Sequence, residues 1–461
     1  MTYSLLAAFA LYFLLLAFVA LISYQRKEKV EDFLLGSRRS SYWLTAISAH
    51  ASDMSSWLFM GLPAAIFVGG SVYCWAALGL LVFMFFNWHF VARPIRELSE
   101  QTNSLTLPAL FEASCKQKSS SVRAISALVS LFFYSFYISS GLIGMGYLFE
   151  SVFSLDYHLS LLFSLAFIMI YTFVGGYTTV IWTDFFQGIF LLLVLLYMPA
   201  ILLLRHDFSS IASVAQAKGI SLLPSYSFYS IFEGLFTMLA WGLGYFGQPH
   251  ILNKFMGIKD PKEMSKSKIL GMTWHFLSLT AALAVGYLSI VYFDGREIQK
   301  ELVFVEMVKE NFTAFWSGFV LCSILAASIS TIDSQILVLS SVLSEDLYKM
   351  SFRGNASSKE LLWVSRISVI LICLLAYFIA GLKSQGIYEL VLYAWSGLGA
   401  SFGPLLLLLL YFRKLSSKAM LSCMCSGAIL SALWEYFSPL AIIPSIVPAF
   451  FISLLLGYLF K

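Results

Sequence analysis

Charged residues are scarce in this chain. Asp, Glu, Lys and Arg make up 12% of its 461 residues, whereas apolar residues make up 59%. This composition excludes an ordinary soluble domain of that length. Apolar runs of about 20 residues, the length that crosses the hydrocarbon core of a bilayer, recur along the chain. We therefore expect an all-α polytopic membrane protein that is surrounded by lipid.

Cysteine and histidine are also rare, with six of each, and they are scattered along the sequence. Because there is no CxxC pair and no His/Cys cluster, neither a disulfide scaffold nor a zinc site is expected. A membrane enzyme would need a catalytic cluster such as paired histidines at one membrane face, so no enzymatic activity is expected.

A transporter-derived sensor would need a long cytoplasmic signalling domain, and the sequence stops at Lys461 without one. The net charge of +4 does not indicate nucleic acid, because the basic residues lie mostly in short loops. No obligate protein partner is evident.

Thirteen membrane spans are predicted. They are expected at residues 3–24, 42–67, 72–92, 124–152, 158–177, 178–204, 227–250, 270–293, 314–345, 360–382, 388–412, 417–438 and 440–460. No basic residue precedes the first run, so it is interpreted as a true span and not as a cleaved signal. Gly175 and Gly176 are expected to form the short turn between the fifth and sixth spans.

Lysine and arginine are concentrated in the loops after the first, third, seventh, ninth and eleventh spans. These loop residues include Arg26, Lys27, Lys29, Lys118, Lys254 and Arg413. The positive-inside rule then places the amino terminus outside and the carboxyl terminus in the cytoplasm of a plasma membrane, as in a bacterial inner membrane. Segment 98–121 is expected to be a cytoplasmic loop with a short surface helix. Segment 294–311 is expected to form a small outer helix that serves as a solvated connector.

An ionisable residue lies in the middle of the second predicted span. Asp53 falls in the stretch 48–57 between two apolar runs, where a carboxylate is costly unless it faces a cavity, an ion or a partner. Gly61 and Pro63 follow, at positions where a helix can break and free its carbonyl groups. Discontinuous helices of this kind hold cations and small substrates in transporters. We favour a functional site here; the alternative is a carboxylate with a structural partner inside the bundle.

The ninth predicted span carries a face of small and hydroxyl residues. Ala327, Ser330, Thr331 and Ser334 are spaced as i, i+3, i+4 and i+7, which places them on one side of a helix. Neutral hydroxyl and carbonyl oxygens are ligands that suit a hard, weakly charged cation. The same hydroxyls could instead form hydrogen bonds between helices, and the sequence leaves both interpretations open.

Two further carboxylates lie within predicted spans. Asp184 is about two helical turns beyond the Gly175–Gly176 turn, deep enough to need a partner. It could control cation release to the inside, which we favour, or stabilise the amino end of its own helix. Asp333 lies at the edge of the hydroxyl face, so it could face a second polar pocket or a basic partner such as Arg366.

The seventh predicted span is interrupted by glycines and a proline. Trp241 and Tyr245 share one helical face, and glycines such as Gly244 clear space beside them. Aromatic residues beside glycine can form a small apolar box with a polar handle, although aromatic pairs in membrane helices also serve as packing or interfacial anchors. We favour a substrate wall. His50 and His250, near the two breaks, are interpreted as hydrogen-bonding wall residues and not as proton carriers, and the other four histidines as packed or interfacial residues.

The interruptions in the second and seventh spans occupy matching positions in two blocks of five spans with opposite orientation. Such a pair of interrupted spans indicates an inverted repeat with its site at the interface. We therefore divide the chain into residues 1–41 (first span and cytoplasmic loop), 42–204 (first repeat half), 205–412 (second repeat half) and 413–461 (two terminal spans).

Five motifs in register resemble the sodium/solute symporter family, and in particular its sodium/proline branch. The motifs are residues 51–55 with Trp57 and Gly61, Gly175–Gly176 with 182–184, 241–250, 330–331 and 344–349. They cover nearly the whole chain in order. The resemblance implies thirteen spans with a five-plus-five inverted repeat, a leucine-transporter-type fold, and sodium as the coupling ion.

Carried over position by position, the resemblance also implies site residues. The implied sodium ligands are the carbonyls of Ala51, Met54 and Ala327 and the hydroxyls of Ser330 and Thr331. Asp53 is similar to the family carboxylate needed for sodium coupling, and Asp184 to the one on the sodium exit route. The positions linked to substrate binding are Ser55, Trp57, Tyr137, Trp241, Tyr245 and Pro249.

Two positions depart from the best-known proline carriers: His50 replaces a small residue and Ser56 replaces a glycine. These departures put the substrate in question more than the ion. Asp333 and Ser334 occur in other branches of the family and could add a second cation site. We expect a secondary transporter that couples inward sodium movement to uptake of a small zwitterion, L-proline, by alternating access. The alternative cargo is another amino acid, a vitamin acid or a sugar.

Overall fold

The computed structural model describes residues 2–24, 30–117, 119–174, 176–223, 227–351, 353–382, 385–412, 414–437 and 443–461. The thirteen predicted spans correspond in chain order to the segments Thr2–Ser23, Tyr42–Met54 with Gly61–Gly69, Cys74–Phe86 with the π-helical turn Asn87–Val91, Ser120–Phe153, Tyr157–Val174, Tyr177–Arg205, Phe228–Leu243 with Pro249–Met256, Met264–Tyr292, Ala314–Ser341 with the π-helical turn Val342–Tyr348, Ser358–Gly381, Ile387–Phe412, Ser417–Phe437 and Ile446–Leu459.

Nine helical segments among these described residues are long and apolar enough to cross a membrane by themselves. One of the nine, Ser56–Gln101, contains the second half of the second span together with the third span. The first half of the second span, the broken seventh span and the shorter fifth and thirteenth spans are not among the nine. The prediction of an all-α polytopic membrane protein is confirmed for this part of the chain.

Short helices connect the spans. They are Val30–Leu35, Gly36–Arg38, Gly70–Tyr73, Ala92–Gln101, Leu107–Ala113, Ile211–Ala217, Pro261–Glu263, Lys300–Leu302, Val303–Asn311 and Lys349–Ser351. The predicted cytoplasmic surface helix is Leu107–Ala113, whose first turn is capped because the Thr106 hydroxyl accepts a hydrogen bond from the amide of Ala109 at 3.2 Å. The predicted outer helix is Val303–Asn311.

The outer helix is not the solvated connector that the sequence suggests. Val303, Phe304, Val305 and Val308 are all fully buried. The Phe304 ring lies 5.0 Å from the ring of Phe59, which follows the break in the second span. The helix therefore covers the part of that span after the break, and its apolar face packs against the protein core.

Several residues used in the sequence interpretation lie outside the described residues. They are Gly175, Arg26, Lys27, Lys29, Lys118 and Arg413. The turn between the fifth and sixth spans is still located, because the helix Tyr157–Val174 ends and the helix Tyr177–Arg205 begins on either side of an extended Gly176.

The second span breaks at Ser55, ahead of the predicted Gly61–Pro63 position. Ser55 has φ +47° and ψ −170°, so the helix ends at Met54. The Ser55 hydroxyl accepts a hydrogen bond from the amide of Trp57 at 3.1 Å and starts a single 3₁₀ turn, Ser56–Leu58. Pro63 lies in the first turn of the next half, where a missing N–H costs nothing.

The seventh span breaks at its glycines, as predicted, but it continues further than residue 250. The 3₁₀ turn Gly244–Gly247 and an extended Gln248 separate Phe228–Leu243 from a second half, Pro249–Met256. A Cβ at Gly244 would lie 1.8 Å from the Trp395 indole nitrogen, so only glycine fits there. The second half contains Lys254, which is 2% exposed. Its assignment to a cytoplasmic loop is wrong.

The ninth span forms the centre of the bundle. Every residue from 321 to 341 is buried, because the first, second, fourth and sixth spans all pack against it. Its hydroxyl face is therefore one of several buried faces. Along its length, this face contacts the second span through Ser330 and the sixth span through Ser334.

Candidate functional site

Four of the five implied sodium ligands meet where the broken second span faces the ninth span. The Ser330 hydroxyl donates to the carbonyl of Ala51 at 2.9 Å and lies 3.1 Å from the carbonyl of Ala327. The Thr331 hydroxyl donates to the same Ala327 carbonyl at 3.0 Å. We refer to these oxygens of Ala51, Ala327, Ser330 and Thr331 as the oxygen cage. All four residues are buried.

The break itself supplies the cage with a free carbonyl. In an unbroken helix the Ala51 carbonyl would accept a hydrogen bond from the amide of Ser55. Ser55 leaves the helix, and its amide donates instead to the Thr331 hydroxyl at 3.0 Å. The Ala51 carbonyl is thus available to Ser330. Met54, the fifth implied ligand, is the last residue of this half. Its carbonyl therefore lies in the last turn, where carbonyl groups have no hydrogen-bond partner within the helix.

The chemistry of the cage fits an alkali ion. Its oxygens are two carbonyls and two hydroxyls, all neutral, and such oxygens suit a hard monovalent cation better than a transition metal. The hydroxyl protons of Ser330 and Thr331 now lie between the oxygens. An entering cation would replace those hydrogen bonds, because both hydroxyls can turn their lone pairs to it.

The Asp53 carboxylate is bonded to Tyr245 of the seventh span and not to the cage. It is 5% exposed, and its Oδ2 accepts a hydrogen bond from the Tyr245 hydroxyl at 2.5 Å. The Asp53 backbone carbonyl accepts from the Tyr137 hydroxyl at 3.2 Å. Asp53 therefore joins the second span to the seventh and the fourth just before the break.

Aromatic residues enclose a small cavity beside Asp53. The cavity is lined by Asp53, Met54, Trp57, Leu80, Tyr137, Trp241, Val391 and Trp395, and its volume of about 10 Å³ holds about one water molecule. The ring centroids of Trp57 and Trp241 are 4.6 Å apart, and the Trp241 indole donates to the Tyr388 hydroxyl at 2.7 Å. A solute larger than water can enter only if these rings move.

Three of the six predicted substrate residues line this cavity, a fourth contacts one of its lining residues, and two lie elsewhere. Trp57, Tyr137 and Trp241 line it, and Tyr245 reaches it through Asp53. Ser55 forms the break below it. Pro249 begins the second half of the seventh span and lines a crevice on the other side, together with Leu34, Leu105, Thr106, Leu107, Asn253, Met256, Val338 and Ser341.

Sequence reasoning missed the part of the cavity wall that comes from the eleventh span. Val391 and Trp395 line the cavity, and Tyr388 contacts the lining residue Trp241. All three lie in a long apolar helix, Ile387–Phe412, which carries no break and no buried charge. Trp395 also donates to the backbone carbonyl of Trp241 at 2.8 Å. Only the repeated aromatic residues of that helix could have suggested a role, and aromatic residues are common throughout the chain.

Asp184 forms a buried ion pair with Lys254. The distance from Lys254 Nζ to Asp184 Oδ2 is 2.8 Å, and both side chains are at most 2% exposed. The same oxygen accepts from the hydroxyls of Ser48 at 2.7 Å and of Ser334 at 3.3 Å. Asp184 lies two turns inside the helix that begins at Tyr177, and these three partners all lie on other helices.

Asp333 and Ser334, the two residues named for a second cation site, lie on the same buried helix. Ser334 is hydrogen-bonded to Asp184. Asp333 is buried on the same helix, and the guanidinium of Arg366 lies 5.4 Å above the ring of Trp363. Pairing of Asp333 with Arg366 stays a prediction.

The histidines near the breaks are hydrogen-bonded inside the protein. His250 Nδ1 lies 3.0 Å from the Tyr134 hydroxyl. His50 Nε2 accepts from the Trp88 indole at 3.1 Å, and His50 Nδ1 lies 3.2 Å from His275 Nδ1. No local pattern predicts the second contact, because His50 and His275 are 225 residues apart.

Comparison with known proteins agrees with this architecture. The model of the sodium:solute symporter family matches residues 33–427. The chain is similar to the high-affinity proline transporter PutP of Bacillus subtilis, with 37% identity over 95% of this chain and 93% of the relative. It is also similar to the sodium/proline symporter of Escherichia coli, with 36% identity over 96% of this chain and 90% of the relative.

Two solved structures share the fold at low sequence identity. A Na⁺-coupled sialic acid symporter in a substrate-bound outward-open state has 17% identity and a TM-score of 0.81 over 98% of this chain and 97% of its own. MhsT in complex with L-phenylalanine has 13% identity and a TM-score of 0.58 over 91% of this chain and 98% of its own. These matches confirm the leucine-transporter-type fold that the resemblance implies. The chain, a multi-pass membrane protein, belongs to the sodium:solute symporter family.

Proposed function

We propose that this protein is a sodium-coupled symporter that imports L-proline by alternating access. The observation that carries the proposal is the oxygen cage, in which the break of the second span presents the Ala51 carbonyl to the Ser330 hydroxyl of the ninth span. The names of relatives that are 36–37% identical over nearly the whole chain support proline as the cargo. Uptake needs only the transporter, sodium and a membrane.

Sodium and substrate are coupled through the residues between Met54 and Leu58. On one side, the Ser55 amide is bonded to Thr331 of the cage. On the other side, Met54 and Trp57 line the cavity. A cation that fixes this segment therefore also fixes the cavity wall, so that each ligand lowers the ordering cost of the other. Asp53 couples the two sites because it holds Tyr245 against the break.

The substrate pocket is the aromatic cavity in an expanded form. Trp57, Tyr137 and Trp241 enclose the apolar ring of proline, and Tyr245 and Asp53 provide polar contacts. Ser55 and Pro249 act through the backbone, because each lies at a break and fixes the direction of the chain there. Separation of Trp241 from Tyr388 opens the pocket to the outside.

Release to the inside passes Asp184. Its carboxylate is held by Lys254, so a sodium ion that leaves the cage meets an acceptor already neutralised by a fixed cation. We assign Asp184 to the exit route on this basis. The amino terminus lies outside and the carboxyl terminus lies in the cytoplasm of a plasma membrane. Residues 42–204 and 205–412 are the two repeat halves, between the first span with its loop (1–41) and the two terminal spans (413–461).

A second candidate keeps sodium and changes the cargo to another small solute. It is favoured by Ser56, which replaces a glycine of the best-known proline carriers and lies against the fourth span, where a Cβ at Gly144 would be 2.4 Å from the Ser56 hydroxyl. A competition panel of amino acids, vitamin acids and sugars against labelled proline separates the candidates. Failure of excess proline to compete with the true cargo would exclude proline.

Uptake of radiolabelled proline into proteoliposomes tests the main proposal. An inward sodium gradient is expected to drive accumulation, and equal sodium on both sides is expected to give only equilibration. Lithium is tested as a substitute and potassium as the control. Equal accumulation driven by a proton gradient without sodium would contradict the assignment of the ion.

A further inference from the structure

Three potential metal ligands that are far apart in sequence meet beside the substrate cavity. They are His50 and Asp53 of the second span and His275 of the eighth, and one ligand atom of each lies within 4.8 Å of the other two. All three are buried. The cluster lies outside the oxygen cage and has a different chemistry, because two of its three groups are imidazoles.

The spacing of the two histidines suits a single bound ion. Two nitrogens at about 2.1 Å from a tetrahedral metal are about 3.4 Å apart, and the His50 and His275 Nδ1 atoms are 3.2 Å apart. A ligand oxygen of Asp53 lies within 4.8 Å of both histidines, and to bind the metal through Oδ2 the carboxylate would exchange its hydrogen bond from Tyr245 for the ion. Imidazole nitrogen with one carboxylate is a donor set for Zn²⁺ and similar metals, whereas Na⁺ prefers oxygen.

We propose that His50, His275 and Asp53 form a binding site for a divalent transition metal, with Zn²⁺ as the fitting ion. The site is reached through the cavity, which Asp53 lines. A bound metal would hold the Asp53 carboxylate and tie the second span to the eighth. Under the proposed function, on which only this consequence depends, the metal inhibits sodium-coupled uptake.

The hydrogen bond from Trp88 lowers the metal affinity of the site but does not prevent binding. Its indole N–H donates to His50 Nε2 at 3.1 Å, and an indole can only donate, so His50 carries its proton on Nδ1. That proton points to His275 Nδ1. Metal binding at His50 Nδ1 moves the proton to Nε2 and breaks the Trp88 hydrogen bond. A complete set of metal–ligand bonds outweighs one neutral hydrogen bond, so Trp88 lowers the affinity of the site.

Metal titration of the purified full-length protein, with its affinity tag removed, tests this proposal. Binding of Zn²⁺ is measured by calorimetry, and Co²⁺ is used as a coloured substitute whose absorption reports nitrogen ligands. We expect one Zn²⁺ per chain. His50→Gln and His275→Gln are each expected to weaken binding by more than about tenfold, and Trp88→Phe is expected to tighten it by up to about tenfold.

The matched control is His89→Ala, which removes an exposed histidine outside the cluster and is expected to leave Zn²⁺ binding unchanged. Absence of Zn²⁺ binding to the wild type, or undiminished binding in both glutamine variants, would overturn the proposal. If a glutamine variant does not fold, Zn²⁺ protection of the wild type against thermal unfolding is compared with that of Asp53→Asn; equal protection would also overturn it.

The uptake experiment separates this site from the proposed function. Zn²⁺ is expected to inhibit sodium-driven proline uptake by the wild type and to have at least tenfold less effect on the His50→Gln/His275→Gln double variant. Uninhibited wild-type uptake with Zn²⁺ bound would overturn the inhibitory role. Zn²⁺ binding by a protein that takes up no proline supports the metal site and contradicts the proposed function alone.

Discussion

Two polar sites lie against the same buried ninth span, and they differ in charge. At the oxygen cage, Ser330 meets the Ala51 carbonyl and Thr331 meets the Ala327 carbonyl, and all of these oxygens are neutral. About one turn further along, Ser334 reaches Asp184, whose carboxylate is already paired with Lys254. A neutral cage gains a favourable interaction when an alkali ion enters. The Asp184 site must first release a lysine.

The difference suggests a direction for the ion. Burial of an isolated carboxylate is very costly, so Asp184 needs a cation or a proton wherever it stays buried. Lys254 supplies it in this structure, and a passing sodium ion can supply it only if Lys254 moves. The cage has no such substitute, and its hydroxyl protons fill the space instead. We therefore expect sodium to be retained at the cage and the Asp184 site to control its departure.

The largest expected effect comes from breaking the charged site. Lys254→Met leaves the Asp184 carboxylate buried and unpaired, which should lower the free energy of unfolding by about 3–5 kcal/mol. Chemical denaturation in detergent measures this loss. The matched control is Lys266→Met: Lys266 pairs with Glu263 at 3.0 Å, but its side chain is 63% exposed, so we expect a loss of at most about 1 kcal/mol.

The double variant Asp184→Leu/Lys254→Met distinguishes a charge effect from a packing effect. It removes both charges, so it should recover most of the stability that Lys254→Met loses, because no unpaired ion remains. A double variant that is no more stable than Lys254→Met would show that the lysine stabilises the protein through its packing. The difference in charge between the two sites would then not explain the loss of stability.

The next effect comes from the neutral site. Ser330→Ala removes one cage oxygen. The sodium concentration for half-maximal proline uptake should rise by about 10- to 100-fold, because this is the loss of affinity expected when one hydrogen bond or ligand to a charged group is removed. Ser328→Ala is the matched control on the same helix, because that hydroxyl donates only to the Ile324 carbonyl at 2.9 Å. Equal sodium dependence of the two variants would remove Ser330 from the site.

The sequence predicts what depends on local pattern. The apolar runs indicated the thirteen spans, and Asp53 between them marked the broken one. The spacing of Ala327, Ser330 and Thr331 placed three cage residues on one face. The break at Ser55 was missed by several residues, because Gly61 and Pro63 are the usual helix breakers, and a serine with positive φ is held only by its hydrogen bonds to Trp57 and Thr331.

What the sequence cannot predict depends on distant partners. Lys254 near the end of an apolar run has the appearance of a loop residue, and only the fold places it against Asp184, 70 residues away. His50 and His275, and likewise Trp241 and Tyr388, meet across more than a hundred residues. The apolar period of the helix Val303–Asn311 was visible, but not the surface of Phe59 that it covers.

A smaller effect, confined to the substrate, is expected at the cavity wall. Trp241→Ala removes the ring that packs on Trp57 and the indole N–H that is bonded to Tyr388. The KM for proline at saturating sodium should rise by about tenfold, because these contacts do not involve the cage. Trp316→Ala, which removes a 56% exposed ring, is the control. A proline KM that is unchanged in Trp241→Ala would reduce Trp241 to packing.

The smallest effect is expected where the cage hydroxyl is kept. Thr331→Ser removes one methyl group and retains the hydroxyl that accepts from the Ser55 amide and donates to the carbonyl of Ala327. The sodium concentration for half-maximal proline uptake should therefore change by less than about threefold. Thr331→Val has nearly the shape of threonine but no hydroxyl, and it should raise that concentration by about tenfold. Sodium titration of proline uptake compares the two. Valine preserves the packing and serine preserves the oxygen. If both variants needed the same sodium concentration, the ninth span would contact the break through helix packing alone. The neutral site would then not differ from any other buried hydroxyl contact.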